Sequence, residues 1–177
     1  MRSFFYLALL GITLLTIALV VRSGMLARQS PGRPINSAMR QALATEAPQL
    51  STQDAMLIAE KYGNARVSQT GLRWVERTPG TGNAGPRIGG QVIAHYDGRL
   101  LDGTPFDSSY QNGGPLTFRV GIGDVIPGWD EAFLTMKKGE KRTLIIPHWL
   151  AYGVKGRLPK IPPQATLVFE VELIDFR

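Results

Sequence analysis

The stretch Asp-Val-Ile-Pro-Gly-Trp-Asp-Glu-Ala-Phe-Leu-Thr-Met-Lys-Lys-Gly, residues 124–139, is the best-marked short helix in a C-terminal half that otherwise has strand character. One apolar stripe recurs in it at helical spacing: Trp129, Ala132, Phe133 and Met136. Pro127 suits a first helical turn, the acids at 130–131 and the lysines at 137–138 complement the helix dipole, and Gly139 can end the helix. Such a short helix is marginal alone, so its stripe must be buried.

The neighbouring segments supply a surface for that burial. Apolar and polar residues alternate, as in strands with one apolar face, in residues 91–96, 116–120, 142–147 and 166–174. In the last segment Leu167, Phe169 and Val171 face one way and Glu170 faces the other, as in a half-buried antiparallel strand. The sequence therefore predicts an α+β domain in which a short central helix packs against an antiparallel sheet.

Composition narrows the function classes. The chain has 177 residues, 44% of them hydrophobic, and a net charge of +6. Before Ser51, five arginines stand against Glu46, so +4 of that charge belongs to the N-terminal part and only +2 to the rest. A nucleic-acid-binding domain carries a basic stripe on its folded surface, so we expect no nucleic-acid partner. The chain has no cysteine, which excludes a disulfide framework and a thiol nucleophile.

The N-terminal segment has the character of a membrane anchor. Residues 4–21 are an uncharged run of about 27 Å as a helix, close to the ~30 Å of a bilayer core. We expect an uncleaved anchor within residues 1–25, with the C-terminal domain exported, into the periplasm if the source is bacterial. A cleaved, soluble periplasmic form is the alternative, since a signal peptide also begins with an apolar run. Arginines flank both ends, so orientation stays open.

Residues 26–63 are interpreted as a linker that contains a short helix, and residues 64–177 as the folded domain. Prolines interrupt one weakly helical patch at 37–44. Ser51 and Asp54 then resemble a capping box before a second apolar stripe, which predicts a helix that ends at Gly63. This helix either packs on the domain or dimerises, so monomer and dimer both remain open.

Local motifs offer little conventional catalytic chemistry. Residues 80–85 match G-x-G-x-x-G, but a strand rather than a helix follows, so we interpret them as a turn. Only two histidines occur and no G-x-S-x-G elbow, so we predict no metal site, no cofactor and no serine nucleophile. Asp107 is the one acid in an aromatic setting; it either has a perturbed pKa or hydrogen-bonds its own loop. The lysines at 137, 138 and 141 and Arg142 are interpreted as a solvated turn.

Large apolar residues instead collect beside loops: Tyr96, Phe106, Val125, Ile126, Trp129, Tyr152, Ile161 and Phe169. Each alone is typical of a core. Trp129 at a helix start, with Tyr152 and Ile161 in a long Gly- and Pro-rich loop, indicates an apolar binding cleft.

At this point the residues resemble a known family, the FKBP-type peptidyl-prolyl cis-trans isomerases, over residues 71–174. Five motifs in order carry the resemblance: Val-Ile-Ala-His-Tyr-Asp-Gly (92–98), Gly-Thr-Pro-Phe-Asp-Ser-Ser (103–109), Val-Ile-Pro-Gly-Trp-Asp-Glu (125–131), Leu-Ala-Tyr-Gly (150–153) and Ile-Pro-Pro-Gln-Ala-Thr-Leu-Val-Phe-Glu-Val-Glu-Leu (161–173). The resemblance implies an antiparallel sheet wrapped around the short central helix.

The resemblance also implies the site and its partners. Its catalytic residues would be Phe106, Asp107, Trp129 and Tyr152. Substrate would also contact Tyr96, Leu116, Val125, Ile126, Ile161 and Phe169. In such proteins the tryptophan forms the pocket floor, the N–H at the position of Ile126 and the hydroxyl at 152 contact the ligand, and the aspartate lies near the twisted amide. The resemblance implies no metal and no cofactor. Expected partners are proline-containing polypeptides, and macrolide inhibitors of the family.

The expected function is therefore isomerisation of X-Pro bonds in folding or exported polypeptides, and the alternative is a tethered binding or chaperone module with little turnover. The chain differs from well-known members at four positions. Asn112 replaces an arginine that pairs with the pocket aspartate, Leu116 replaces an aromatic wall residue, and Arg157 and Lys160 lie where histidine and isoleucine are common. The two cations suggest a preference for acidic residues before proline.

Overall fold

A computed structural model describes residues 48–177 of the chain. The predicted anchor at 4–21 and the weakly helical patch at 37–44 lie outside the described residues. Within 48–177, no helix is both long enough and apolar enough to cross a bilayer.

The described residues form one compact unit, Pro48–Arg177, with two α-helices and seven strands. In chain order the elements are α1 Thr52–Tyr62, β1 Arg66–Val67, β2 Arg73–Thr78, β3 Gln91–Leu100, β4 Pro105–Ser108, β5 Leu116–Arg119, α2 Pro127–Phe133, β6 Lys141–Ile146, a 3₁₀ helix His148–Leu150 and β7 Leu167–Phe176.

All strand pairs are antiparallel, in the order β1-β2-β6-β7-β3-β4, and β5 pairs with β3 beside β4. The long strands β3 and β7 pair along their whole length. Every second residue of β3, from Val92 to Gly98, is buried, as a strand period of two requires. The α+β architecture with an antiparallel sheet and a short helix is thereby confirmed.

Helix α2 packs on one face of the sheet through Trp129, Ala132 and Phe133. Its first turn lies very close to β6, because a Cβ on Gly128 would come within 2.5 Å of Cγ2 of Ile146. The lack of a side chain at Gly128 therefore allows α2 to approach β6 this closely.

The helix is shorter than the sequence predicts. It ends at Phe133, not at Gly139, because the chain tightens there into hydrogen bonds from the Thr135 and Met136 amides to the carbonyls three residues back. Met136 is fully buried outside the helix, so its helical spacing reflects core packing alone. The predicted role of the lysines at 137–138 at the helix end is wrong.

The prediction that Arg142 belongs to a solvated turn is also wrong. Its guanidinium is buried, pairs with the buried carboxylate of Glu140, and donates to the hydroxyl and carbonyl of Thr135. Buried charges need such partners, which composition alone does not reveal.

Helix α1 covers the opposite face of the sheet. Its Ile58 is buried with Leu101, Ile145 and Val168, and Val168 alternates along β7 with residues that face α2. The Ser51 Oγ accepts from the Asp54 amide at 3.0 Å, as the capping signal predicts. Within the unit Pro48–Arg177, this helix therefore packs on the domain, which is the first of the two interpretations given above.

Candidate active site

The base of the site is Trp129, at the third position of α2 and only 3% exposed. Four aromatic rings surround its indole with centroid distances of 5.1 to 5.7 Å: Tyr96, Phe118, Phe133 and Phe169. Most of these contacts are edge-to-face, the arrangement that aromatic quadrupoles favour. Because rings from β3, β5, β7 and α2 converge on it, the indole is held in one orientation.

A second aromatic pair forms a wall beside this base. Phe106 of β4 lies edge-on to Phe169 of β7, with centroids 5.4 Å apart. Both rings fold over Gly98 of β3, where a Cβ would come within 2.7 Å of Phe169 and 2.8 Å of Phe106. The missing side chain at 98 is thus the reason that the two rings can meet across the intervening strand.

The loop before α2 adds Val125 and Ile126 to the lining of the site. Asp130, in the first turn of the helix, fixes this loop by accepting from the Gly121 amide at 2.7 Å and from the Gly123 amide at 2.9 Å. The Ile126 carbonyl accepts from the helix, whereas its own N–H has no acceptor among residues 48–177. That amide is therefore a free donor at the cleft.

A hydrogen-bond network lies around Asp107. The Tyr96 hydroxyl donates to Oδ2 at 2.9 Å, and Asn112 Nδ2 and the Ser108 amide donate to Oδ1 at 2.8 Å and 3.0 Å. Partial burial opposes ionisation of Asp107, but these three hydrogen bonds, together with the positive charge of Lys160, outweigh it and hold the pKa of the carboxyl below its ordinary value. Burial of the phenol, reinforced by the Asp107 carboxylate, raises the pKa of Tyr96 to about 12. The pair is thus an ionised aspartate and a neutral tyrosine near neutral pH.

Asn112 therefore fills the place in which the resemblance leads us to expect an arginine. It satisfies the same carboxylate with a hydrogen bond but brings no charge. The sequence showed that residue 112 differs from well-known members of the family, but it did not show that the Asn112 side-chain amide bonds to Asp107.

Tyr152 enters the site from the loop after β6. The 3₁₀ helix His148–Leu150 and a bond from the Gly153 amide to the His148 carbonyl set the path of this loop. The Tyr152 hydroxyl has no hydrogen-bond partner among the described residues, and the guanidinium of Arg157 lies 5.7 Å from the centre of its ring.

These elements enclose an open cleft of about 400 Å³. Nine of the ten residues expected at the site line it: Tyr96, Phe106, Asp107, Leu116, Val125, Ile126, Trp129, Tyr152 and Phe169. The tenth, Ile161, is buried and lines a smaller cavity that adjoins the cleft at Phe106, Asp107 and Tyr152. The roles assigned to these residues stay predictions.

Sequence reasoning missed some of the lining. Asp124, Pro127 and Ala151 also face the cleft, and each is a neighbour in sequence of an expected residue. Arg157 lines it too and was noted only for its charge. For Asp124, Pro127 and Ala151 the one signal available was adjacency to Val125, Ile126 and Tyr152.

Chemically, the cleft combines aromatic and aliphatic side chains with three charged ones, Asp107, Asp124 and Arg157. Within residues 48–177 no group of three or more histidine, aspartate or glutamate side chains lies close enough together to hold a metal ion. The Trp129 Nε1 is buried and unpartnered among these residues.

Comparisons with known proteins agree with this geometry. Residues 82–174 match the family model of the FKBP-type peptidyl-prolyl cis-trans isomerases. The chain is 44% identical over 133 residues to peptidyl-prolyl cis-trans isomerase FKBP4 of Bos taurus, a match that covers 75% of this chain and only 29% of that protein. It is 55% identical over 87 residues to FK506-binding protein 2 of Debaryomyces hansenii, covering 49% of this chain and 64% of that protein.

The fold comparison gives the same result. The crystal structure of AtFKBP13 superimposes with a TM-score of 0.61 at 43% identity, covering 64% of this chain and 98% of that one. The matched family model, these identities and the shared fold together show that the chain belongs to the FKBP-type peptidyl-prolyl cis-trans isomerases.

Proposed function

We propose that this protein catalyses cis–trans isomerisation of X-Pro bonds in polypeptides. The observation that carries the proposal is the cleft itself, a hollow with aromatic walls that is lined by the tightly packed Trp129. A pyrrolidine ring is uncharged, cyclic and small enough to lie on that indole.

The expected rate enhancement follows from the electronic structure of the amide. Resonance resists rotation by ~18 to 20 kcal/mol, and X-Pro bonds cross this barrier in tens to hundreds of seconds. A half-rotated amide is less conjugated and less polar at oxygen than a planar one. Apolar surroundings therefore destabilise the planar form more than the twisted one, and a difference of ~4 to 5 kcal/mol corresponds to about a thousandfold or more.

Polar groups at the edge of the cleft would hold the substrate for this rotation. The Ile126 N–H and the Tyr152 hydroxyl are donors without acceptors in the described residues and would bind substrate carbonyls. The ionised Asp107 would lie near the rotating amide, fixed by Tyr96 and Asn112. A hydrogen bond to the proline nitrogen, from the substrate's own backbone, would further favour the twisted state.

The test is the exchange rate between cis and trans forms of a Leu-Pro tetrapeptide, measured by NMR with the full-length chain. We expect the exchange to speed up by at least about a thousandfold at saturation. A macrolide such as FK506, the ligand in the name of the Debaryomyces relative, would occupy the same cleft and suppress the exchange. An unchanged exchange rate would refute the proposed activity.

A holding role without turnover is the second candidate. Two large apolar side chains are exposed beside the site, Leu116 at 38% on the cleft and Leu158 at 71% on the adjoining cavity. Such surfaces bind unfolded chains. Suppression of aggregation of an unfolded client, with no acceleration of the Leu-Pro peptide, would favour this candidate over the isomerase.

The domain would act while tethered to a membrane and exported from the cytoplasm. Membrane tethering is supported by the uncharged run at 4–21, which is long enough to span a bilayer as a helix. The arginines on both sides of the run do not favour either orientation, so export is the part of the proposal that the topology experiment decides. Extraction of membranes at alkaline pH and a topology reporter fused to the C terminus test it. Release of the protein by alkali would contradict the tethering. Activity of a fused reporter that works only in the cytoplasm would contradict the export.

A further inference from the structure

A second cavity of about 280 Å³ adjoins the aromatic cleft. The two hollows share Phe106, Asp107, Tyr152 and Arg157, and the second is completed by residues 158–161. A polypeptide seated over Trp129 would therefore continue across Phe106 and Tyr152 into this cavity. The side chains there will contact a residue close to the proline.

The charges of the two hollows differ. The cleft is lined by two carboxylates, Asp107 and Asp124, and one cation, Arg157. The second cavity is lined by two cations, Arg157 and Lys160, and one carboxylate, Asp107. A bound polypeptide that passes from the cleft into the second cavity therefore moves from a lining of net negative charge to one of net positive charge.

Neither cation forms a salt bridge within residues 48–177, although Lys160 lies close enough to Asp107 for its charge to help lower the pKa of that carboxyl. No carboxylate within residues 48–177 lies within 4.0 Å of Arg157 or Lys160, and both side chains are exposed. Asp107 is already bonded to Tyr96, Asn112 and the Ser108 amide. The positive charge is therefore available to a ligand.

We infer that this cavity binds an acidic side chain on the residue that precedes the proline, so that Glu-Pro and Asp-Pro bonds are preferred substrates. The inference rests on the proposed isomerase function. That function places the rotating carbonyl next to Asp107 and Tyr152, and both of these residues also line the second cavity. The residue that owns this carbonyl is the one before the proline, so its side chain lies nearest to Arg157 and Lys160.

The experiment compares Ala-Glu-Pro-Phe with Ala-Gln-Pro-Phe, which have the same shape and differ in charge. For the full-length chain at low salt we expect kcat/KM to be about threefold higher for the glutamate peptide, the size expected of exposed ion pairs. Arg157→Gln and Lys160→Gln should each move this ratio toward one, and raised salt should do the same. Lys155→Gln removes an equal charge from the same loop without lining either cavity and should leave the ratio unchanged.

The outcomes separate this inference from the proposed function. If both peptides are isomerised at equal rates, or the glutamine peptide is faster, the inference is wrong and the isomerase function stands. A preference that survives Arg157→Gln combined with Lys160→Gln also overturns it. If neither peptide is isomerised, the proposed function fails and the inference fails with it.

Discussion

The hydroxyl of Tyr96 donates a hydrogen bond of 2.9 Å to Oδ2 of Asp107 and joins β3 to β4 at the edge of the cleft. Asn112 completes this arrangement by donating to the other carboxylate oxygen at 2.8 Å. The network holds an ionised carboxylate beside the aromatic rings of the cleft, and its two titrating groups provide direct tests.

The first test concerns Asn112. Partial burial raises the pKa of Asp107, and the Asn112 hydrogen bond is the largest of the contributions that lower it, so Asn112→Ala should raise this pKa above its wild-type value. A carboxyl carbon NMR titration measures it, with Asn83→Ala as an exposed control. Because the wild-type pKa is lowered, its stabilising effect is present at neutral pH and lost as pH falls through that pKa. The stability gap between wild type and Asn112→Ala should therefore shrink in acid, and a constant gap would contradict the assignment.

The second test concerns Tyr96 at alkaline pH. Its pKa is raised to about 12, so its stabilising effect is complete below the ordinary tyrosine pKa of about 10 and is lost as pH rises from there. We expect the free energy of unfolding of wild type, relative to Tyr96→Phe, to fall between pH 10 and 12. Denaturant titrations at several pH values measure this difference. Parallel pH profiles for the two proteins would show that the phenol is not buried against Asp107.

The third test concerns the contact of Gly128 with Ile146. A methyl group at 128 would lie 2.5 Å from Cγ2 of Ile146, so Gly128→Ala should cost about 1 to 3 kcal/mol of stability through overpacking. In an Ile146→Ala background that methyl group has room, and the added cost should be smaller. A double-mutant cycle of unfolding free energies measures the coupling. Additive effects would mean that helix α2 does not sit this close to β6.

The fourth test concerns the buried pair of Glu140 and Arg142. Glu140→Ala leaves the Arg142 guanidinium buried without a carboxylate and should cost at least about 3 kcal/mol of unfolding free energy. Asp175→Asn breaks an exposed pair with Lys138 and serves as the control, with little effect expected. Equal effects of the two substitutions would show that Arg142 is solvated after all.

Regular alternation made the long strands predictable, since β7 buries one face along most of its length. Strand β4 was not predicted, because four residues that begin with Pro105 carry too little pattern to separate a strand from a loop. The helix stripe predicted α2 correctly but extended it to Met136, which is buried through a turn. The spacing of apolar residues predicts which residues are buried, but it does not predict whether a helix or a turn places them in the core.

Local sequence patterns predicted less of the candidate site than of the fold. Apolar residues beside loops, Ile126 among them, indicated a cleft, but the resemblance to a family was needed to assign Asp107 and the Ile126 N–H to it. The bond from Asn112 to Asp107 depends on how the loop after β4 folds back, and no spacing encodes that path. The buried Arg142 was missed for the same reason, since its partner Glu140 lies in the preceding turn.

The most direct test of the account compares wild type with the double variant Asp107→Leu, Tyr152→Phe in Leu-Pro isomerisation, with near-UV circular dichroism as the check on folding. We expect a folded variant with the aromatic base intact and a rate lowered by at least about tenfold, equivalent to roughly 1.4 kcal/mol of lost transition-state stabilisation. A folded double variant that isomerises the peptide as fast as wild type would contradict it.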